Sequence, residues 1–430
     1  MSHEQHKRIV IVDGHSTGRE LRRALAERAV ECLHLRSTSE LPAPVARSFD
    51  PSRYDADLGH LGTPEAAAIA LAALRPDAVV AGSEWGVLYA EAVAERLGLP
   101  TNRPALRTAR RDKFEMIEAV RAHGLLAAEQ VCVGGRTAAV AWATARGRWP
   151  VVVKPLDSAG SDGVTICRSS EDIEAAFDST LGRENFMGSR NKKLLVQEYL
   201  PGPQYIVNTV SAGGRHYVTD VWAMTVTLRG GRVVPGAIRL LDPRAARPAA
   251  LIDYARKVLD ALGIVDGAAH SELKWTPRGP ALIETGARLM GAAMDEPSYR
   301  AADQRTQADV FAGVLTDSPA ECDRLFARGT YERRSHIAKV LFNFGSDGEV
   351  AATAGLDRLE LLPSFHAHYR ALGHGARVWK TADWLACGGI VYLVHDDATQ
   401  IERDIDTFRR WESNGQLYGV RARGRAHAIA

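Results

Sequence analysis

The chain has 430 residues, 46% hydrophobic and 25% charged, a globular composition with room for about two to four packed units and too long for one small domain. Lys plus Arg exceed Asp plus Glu by only two, so no global field favours nucleic acid or an anionic membrane as partner, and any anion site has to be local. Five dispersed cysteines, Cys32, Cys132, Cys167, Cys322 and Cys387, lack CxxC spacing and are read as packed thiols rather than as a disulfide framework or a zinc site.

The opening MSHEQHKRIVIVDG reaches a short apolar strand without the apolar core of a signal peptide, and no later stretch approaches a spanning helix, so a cytoplasmic protein is expected. Residues 8 to 13, RIVIVD, form a continuous apolar run. Gly14 breaks it, and Leu21, Ala24, Leu25 and Ala29 then recur at helical spacing. This strand, turn and helix return at 77 to 81, DAVVA, where Gly82 and Ser83 lead into a helix through EWGVLYAEAVAERLG that stops at Gly98 and Pro100. Alternating strands and helices predict a parallel sheet covered on both faces. The turn GHSTG at 14 to 18 has neither GxGxxG nor GxxxxGKS/T spacing; it is read as structural, and no nucleotide is assigned to it.

Pro100 and Pro104 bracket a connection that places a boundary near 105, and RTARRDKFEMIEAVRAHG follows as a charged helix ending at Gly124. Strands are predicted in VVVKP (151 to 155), LLVQEYLPG (194 to 202) and ALIETGARLMG (281 to 291). From about 335 a separate pattern of short strands, AKVLFNFG and GGIVYLVH, leads to a helix near DIDTFRRWESNG. No internal repeat or low-complexity tract is visible.

Lys154 closes the strand VVVKP and precedes a loop of small residues, Ser158, Ala159, Gly160, Ser161 and Gly163. Backbone N–H groups of such a loop can approach phosphate oxygens beside the ammonium's charge; the competing reading is a strand-end lysine reaching out of a sheet before a flexible hairpin. HSELKWTPRGPALIETGAR sets Glu272 and Glu284 in two alternating strands around a Pro-Arg-Gly-Pro turn. A hairpin folds them towards each other, either as a pair able to hold Mg²⁺ bridging nucleotide phosphates or as ordinary solvated acids. Four residues further on, Arg288 carries a planar fork suited to a carboxylate, a transferring phosphoryl group or a surface ion pair. His270 shares a strand face with Glu272 and either touches substrate or packs.

In this order RRDK at 110 to 113, VVVKP with its glycine loop, QEYLPG, HSE and IETGAR resemble the ATP-grasp superfamily over about residues 105 to 320. The region before resembles that family's preceding domain, and the tail resembles the C-terminal domain of L-amino-acid ligases. The resemblance implies an α/β fold with α+β elements: a Rossmann-like domain over 1–105, an ATP-grasp domain of two lobes over 106–330 hinged near 198–204, and a C-terminal α/β domain over 331–430. It implies that Lys113 and Lys154 contact ATP phosphates and that Ser158, Gly160, Ser161 and Gly163 belong to a loop closing over them. Glu198, Tyr199 and Leu200 would meet adenine largely through backbone groups, Gln204 would lie at the ribose, and Ile283 would wall the base. Glu272 and Glu284 match the magnesium ligands. Arg288 matches the arginine that steadies the acyl phosphate or binds a substrate carboxylate, with Lys154 as its catalytic companion and His270 and Gly291 on the substrate side. Two positions depart from the pattern: Gln204 stands where many relatives carry glutamate, and Gly286 where many carry the asparagine of an E-x-N motif, which would leave water or a substrate oxygen to complete a metal shell.

The implied reaction is ATP- and Mg²⁺-dependent joining of a carboxylate to an amine through an acyl phosphate, releasing ADP and phosphate, and the tail points to two amino acids as substrates. A purine-pathway or carboxylase-like ligase, and a non-catalytic nucleotide-binding regulator, are the alternatives. A homodimer with neither nucleic acid nor membrane as partner is the expected assembly.

Overall fold

A computed structural model describes residues 7–40, 49–229, 232–291, 294–369, 371–381 and 386–421; the first six residues of the polar opening segment lie outside the described residues. Four parallel strands, β1 (Arg8–Val12), β2 (Glu31–Arg36), β3 (Ala56–His60) and β4 (Ala78–Ala81), pair in the order β3-β2-β1-β4. The unbroken apolar run of β1 reflects cover on both faces. Helix α1 (Gly18–Ala26) sets Leu21 and Leu25 with Ile9 and Ile11, whereas α2 (Pro64–Ala72) and α3 (Val87–Arg96) bring Leu71 and Val93 to Val10 and Val12.

The connections leave β1 and β4 towards opposite faces, so the loops that follow them border a crevice at the carboxyl ends of adjacent strands, where open parallel sheets place ligands. The glycines of the GHSTG turn answer to close approach. A Cβ on Gly18 would meet the carbonyl oxygen of Gly82 at 2.9 Å, and one on Gly14 would strike the hydroxyl of Tyr54 at 1.8 Å.

RRDK divides its four residues among four tasks. Thr108–Arg110 form a 3₁₀ turn, and α4 (Lys113–Ala122) starts only at Lys113, because the carboxylate of Asp112 accepts from the N–H groups of Phe114 and Glu115 at 2.8 and 3.0 Å. The charged helix predicted from Arg107 is therefore shorter than its pattern. Arg110 is fully buried and donates to Glu91 Oε1 at 2.8 Å and to the Leu262 carbonyl at 2.9 Å, which ties α3 to the later part of the chain. Removing one partner of a buried pair strands the other charge, so Glu91→Ala is expected to destabilise the protein by about 3–5 kcal/mol, read as a lower denaturation midpoint. A loss below about 1 kcal/mol, the range of exposed pairs, would show that Arg110 is solvated instead.

An antiparallel sheet comes next, β5 (Gln130–Val133), β8 (Leu194–Glu198), β6 (Val151–Pro155) and β7 (Thr165–Cys167) in that spatial order, with Val151, Val153 and Val196 packed under helices Arg136–Arg146 and Ser170–Thr180. The largest sheet has eight strands in the order β13 (Gly279–Gly286), β12 (Gly267–Thr276), β9 (Gln204–Ala212), β10 (Arg215–Arg229), β11 (Arg232–Leu240), β14 (His336–Leu341), β18 (Ile390–His395) and β16 (Phe365–Tyr369). Strands expected to open a separate unit after about 335 thus continue this sheet, with β14 antiparallel to β11 through pairs such as Ala237 and Val340. They also carry a core of their own around Phe342, Val391 and Phe408, beside a small sheet of β15 (Gly348–Ala352), β17 (Arg377–Val378) and β19 (Gly419–Arg421). Among the described residues no helix is long and apolar enough to cross a membrane.

Candidate active site

A cavity of about 1250 Å³ is walled by the loops after β1 and β4, the antiparallel sheet, the β12–β13 hairpin and residues of the C-terminal strands. His270, Glu272 and Lys274 alternate along β12 and so border it together. Glu272 lies directly opposite Glu284 on β13, but Leu273 is opposite Leu282, so Ile283 is an extra, bulged residue. The bulge is what lets the neighbours Ile283 and Glu284 both border the cavity, where strict alternation would have turned one of them away.

Each of the two facing carboxylates has a donor in place. Glu284 Oε2 lies 2.9 Å from Lys113 Nζ, which also donates to the Ser158 carbonyl at 2.7 Å. Burial pushes the Glu284 carboxyl up, but the Lys113 and Lys154 ammonium groups outweigh it and hold it below the usual range, so it stays ionised. Lys154, only 4% exposed, is lowered to about 8 by burial and by the Lys113 charge, against the pull of Glu284 and Glu272. Glu272 Oε2 accepts from Gln204 Nε2 at 2.8 Å, so the glutamine at the departing position steadies a carboxylate. His270 Nδ1 meets Asn208 Oδ1 at 2.8 Å, and the Asn208 amide in turn donates to the buried Asp220, which fixes the ring beside Glu272.

A second charge cluster joins Arg288 and the second arginine of RRDK through a carboxylate that the sequence did not single out. Glu84, in the loop after β4, accepts from Arg288 Nε at 2.6 Å and pairs through its other oxygen with Arg111. Burial raises its carboxyl, yet Arg288, Arg111 and Lys113 together bring it down to about 2. Arg288 also donates through Nη1 to the Leu289 carbonyl at 3.0 Å, so its guanidinium is held at two points. The one available pointer to Glu84 was its place just beyond the parallel strand β4, at the switch-point crevice between β4 and β1.

Of the residues singled out from sequence, Lys113, Lys154, Ser158, Gly160, Ser161, Glu198, Tyr199, Leu200, Gln204, His270, Glu272, Ile283, Glu284, Arg288 and Gly291 all border this cavity. Gly163 does not; at φ +68° it turns the loop behind the wall, where a Cβ would press on Pro155 at 2.9 Å. The loop is braced from inside, since Ser158 Oγ donates to Asp162 Oδ2 at 2.7 Å. The Glu198 carboxylate is committed to Arg278 at 2.6 Å and Arg146 at 3.3 Å. Arg19, Arg111, Lys274, Tyr369 and Trp379 border the cavity as well and were not foreseen. Among the described residues no three His, Cys, Asp or Glu side chains gather as a metal cage. Glu272 and Glu284 fit a hard cation that takes its remaining oxygens from phosphate and water, as Mg²⁺ prefers.

The family model described as an ATP-grasp domain matches residues 147–296. Dapdiamide A synthase of Enterobacter agglomerans is 29% identical over 96% of this chain and 97% of its own length. Among solved structures, an L-amino acid ligase from Bacillus licheniformis superposes with a TM-score of 0.74 at 15% identity, covering 98% of this chain and 100% of that one. N5-carboxyaminoimidazole ribonucleotide synthetase from Thermotoga maritima reaches 0.65 at 16% identity over 97% and 100% of the two chains. At such identities the solved structures speak for the fold.

Proposed function

We propose that this chain, which belongs to the ATP-grasp superfamily, is an ATP-dependent ligase that joins the carboxylate of one amino acid to the amine of another and releases ADP and phosphate. The observation that carries the reading is the meeting, in one cavity, of the Glu272–Glu284 pair with Lys113 and Lys154 at one place and the Arg288–Glu84–Arg111 cluster at another. The first set suits a polyphosphate and the second a carboxylate. Similarity over nearly the full length to a dapdiamide synthase supports amino acids as the substrates.

A carboxylate resists attack because its charge repels nucleophiles and oxide is not a viable leaving group. Transfer of the γ-phosphoryl group makes an acyl phosphate, from which the amine displaces phosphate. In this reading Lys113, Lys154 and the 158–161 loop, which border one cavity, hold the phosphates, and Arg288, braced by Glu84, aligns the reacting carboxylate. Magnesium held by Glu272 and Glu284 would neutralise phosphate charge at that place. Closure of the 158–161 loop over the cavity would keep water from the activated acyl group.

Screening the twenty amino acids in pairs for phosphate release, with mass detection of products, tests the reading. The nucleotide product is expected to be ADP in one-to-one ratio with the amide, because activation breaks the bond to the γ-phosphate. Stoichiometric AMP would overturn the mechanism even if an amide were made.

A further inference from the structure

Of the seven Lys and Arg side chains that border the cavity, four are paired with carboxylates of the chain itself. Arg110 is paired with Glu91, Arg111 and Arg288 with Glu84, and Lys113 with Glu284. Lys154 lies under the influence of the facing glutamates, and Lys274 donates to the Gly202 carbonyl at 3.1 Å on the hinge side. Arg19 is the third without an ion pair among the described residues, and of the three it alone stands on the crevice after β1, away from the facing glutamates and the 198–204 segment. Its Nε donates to the Ser16 carbonyl at 3.0 Å and its Nη2 to the Tyr369 hydroxyl at 2.6 Å, both neutral acceptors.

The place of this cation is as telling as its lack of a countercharge. Arg19 stands in the first turn of α1, at the switch-point crevice, and reaches across to β16, the edge strand of the largest sheet. Beside it His15 is fully buried; its Nε2 meets Ser83 Oγ at 2.9 Å, while its Nδ1 has no hydrogen-bond partner among the described residues. Ser83 adjoins Glu84. Arg19 and the Arg288 cluster are therefore two separate positive positions along one crevice, bridged by the His15–Ser83 hydrogen bond.

An amino acid that serves as the amine keeps its own carboxylate through the reaction, and that group needs a countercharge apart from the arginine that aligns the reacting carboxylate. We propose that Arg19, with the Tyr369 hydroxyl beside it, receives the carboxylate of the amine substrate, so that the enzyme selects acceptors bearing a free carboxylate; this rests on the ligase reading above. Holding the acceptor there directs its amine along the crevice towards the acyl group at Arg288, and it keeps the two carboxylates from exchanging places.

The test compares wild type, Arg19→Met, Arg19→Lys and Tyr369→Phe, using the best acceptor amino acid from the pair screen and the carboxamide of that same amino acid. Arg19→Met is expected to raise KM for the amino acid by about thirtyfold, the scale of one charge-assisted hydrogen bond, far more than it lowers kcat. Arg19→Lys should recover part of that loss. With the carboxamide, wild type and Arg19→Met should have similar KM values. Calorimetry with the acceptor amino acid should show the same weakening without turnover. Tyr369→Phe, which removes only a hydroxyl, keeps the question open to test if Arg19→Met does not fold; a selective rise in KM for the amino acid over its carboxamide is again expected. Equal losses with amino acid and carboxamide, or a rise in KM for the donor instead of the acceptor, would overturn the assignment. A wild-type enzyme that forms no amide from any pair would remove the ligase reading and this one with it, before any variant is made.

Discussion

A Glu284→Gln protein is expected to remain folded and to turn over at least about a hundredfold more slowly than wild type, a loss of roughly 3 kcal/mol in transition-state stabilisation. The carboxylate faces Glu272 across the hairpin and lies 2.9 Å from Lys113 Nζ, so the amide would withdraw a negative charge from a place that carries two ammonium groups. A hard cation bound there would lose one of its two protein oxyanions. Titrating Mg²⁺ separates the causes: part of the loss should be recovered at high Mg²⁺ if metal binding is what was weakened. Wild-type turnover at limiting Mg²⁺ in a folded Glu284→Gln protein would take Glu284 out of the metal site.

Arg288→Lys should be impaired to a similar degree although it keeps the charge. The guanidinium can bind Glu84 through Nε and the Leu289 carbonyl through Nη1 while its remaining N–H groups stay available to a substrate. An ammonium is a single point of charge and cannot both hold Glu84 and present a fork to a carboxylate. The loss should fall on kcat and on the dependence on the donor amino acid, with ATP affinity by calorimetry little changed. If ATP affinity collapsed instead, with normal amino-acid dependence at saturating ATP, Arg288 would be a nucleotide clamp.

What the sequence made legible and what it hid divide along chain separation. Glu272 and Glu284 are joined by a short hairpin, so alternation and a turn bring them together in any reading of the segment. The parallel β1 and β4, with their covering helices, follow from local apolar patterns in the same way. Ile283 was placed by family likeness, but the bulge that puts it beside Glu284 is a one-residue slip of register with no mark in composition. Glu84 acquires its meaning from Arg288, 204 positions away, and Arg19 from Tyr369, 350 positions away; no periodicity reports on such pairs. The GHSTG turn matched no nucleotide spacing because its glycines serve the approach of a neighbouring loop, while the side chains between them border the cavity. The C-terminal strands look self-contained because pairing along a sheet edge is written into neither partner alone.

That last junction bears on how such a chain could be recombined. Cutting between 300 and 335 and grafting the tail of a relative would leave β11 as a bare edge that must zip to foreign strands in the right register. The graft would also have to supply an arginine like Arg409, which donates to the Gly236 carbonyl at 2.8 Å, and a glutamate like Glu402 for Arg239. Such hybrids should be prone to aggregate, and their failures would say little about chemistry. The short stretch 14–19 borders the cavity and interrupts no strand pairing, so it is the segment through which acceptor preference could be exchanged between relatives with the sheets left whole, whereas 82–86 carries Glu84, the brace of Arg288, and has to stay.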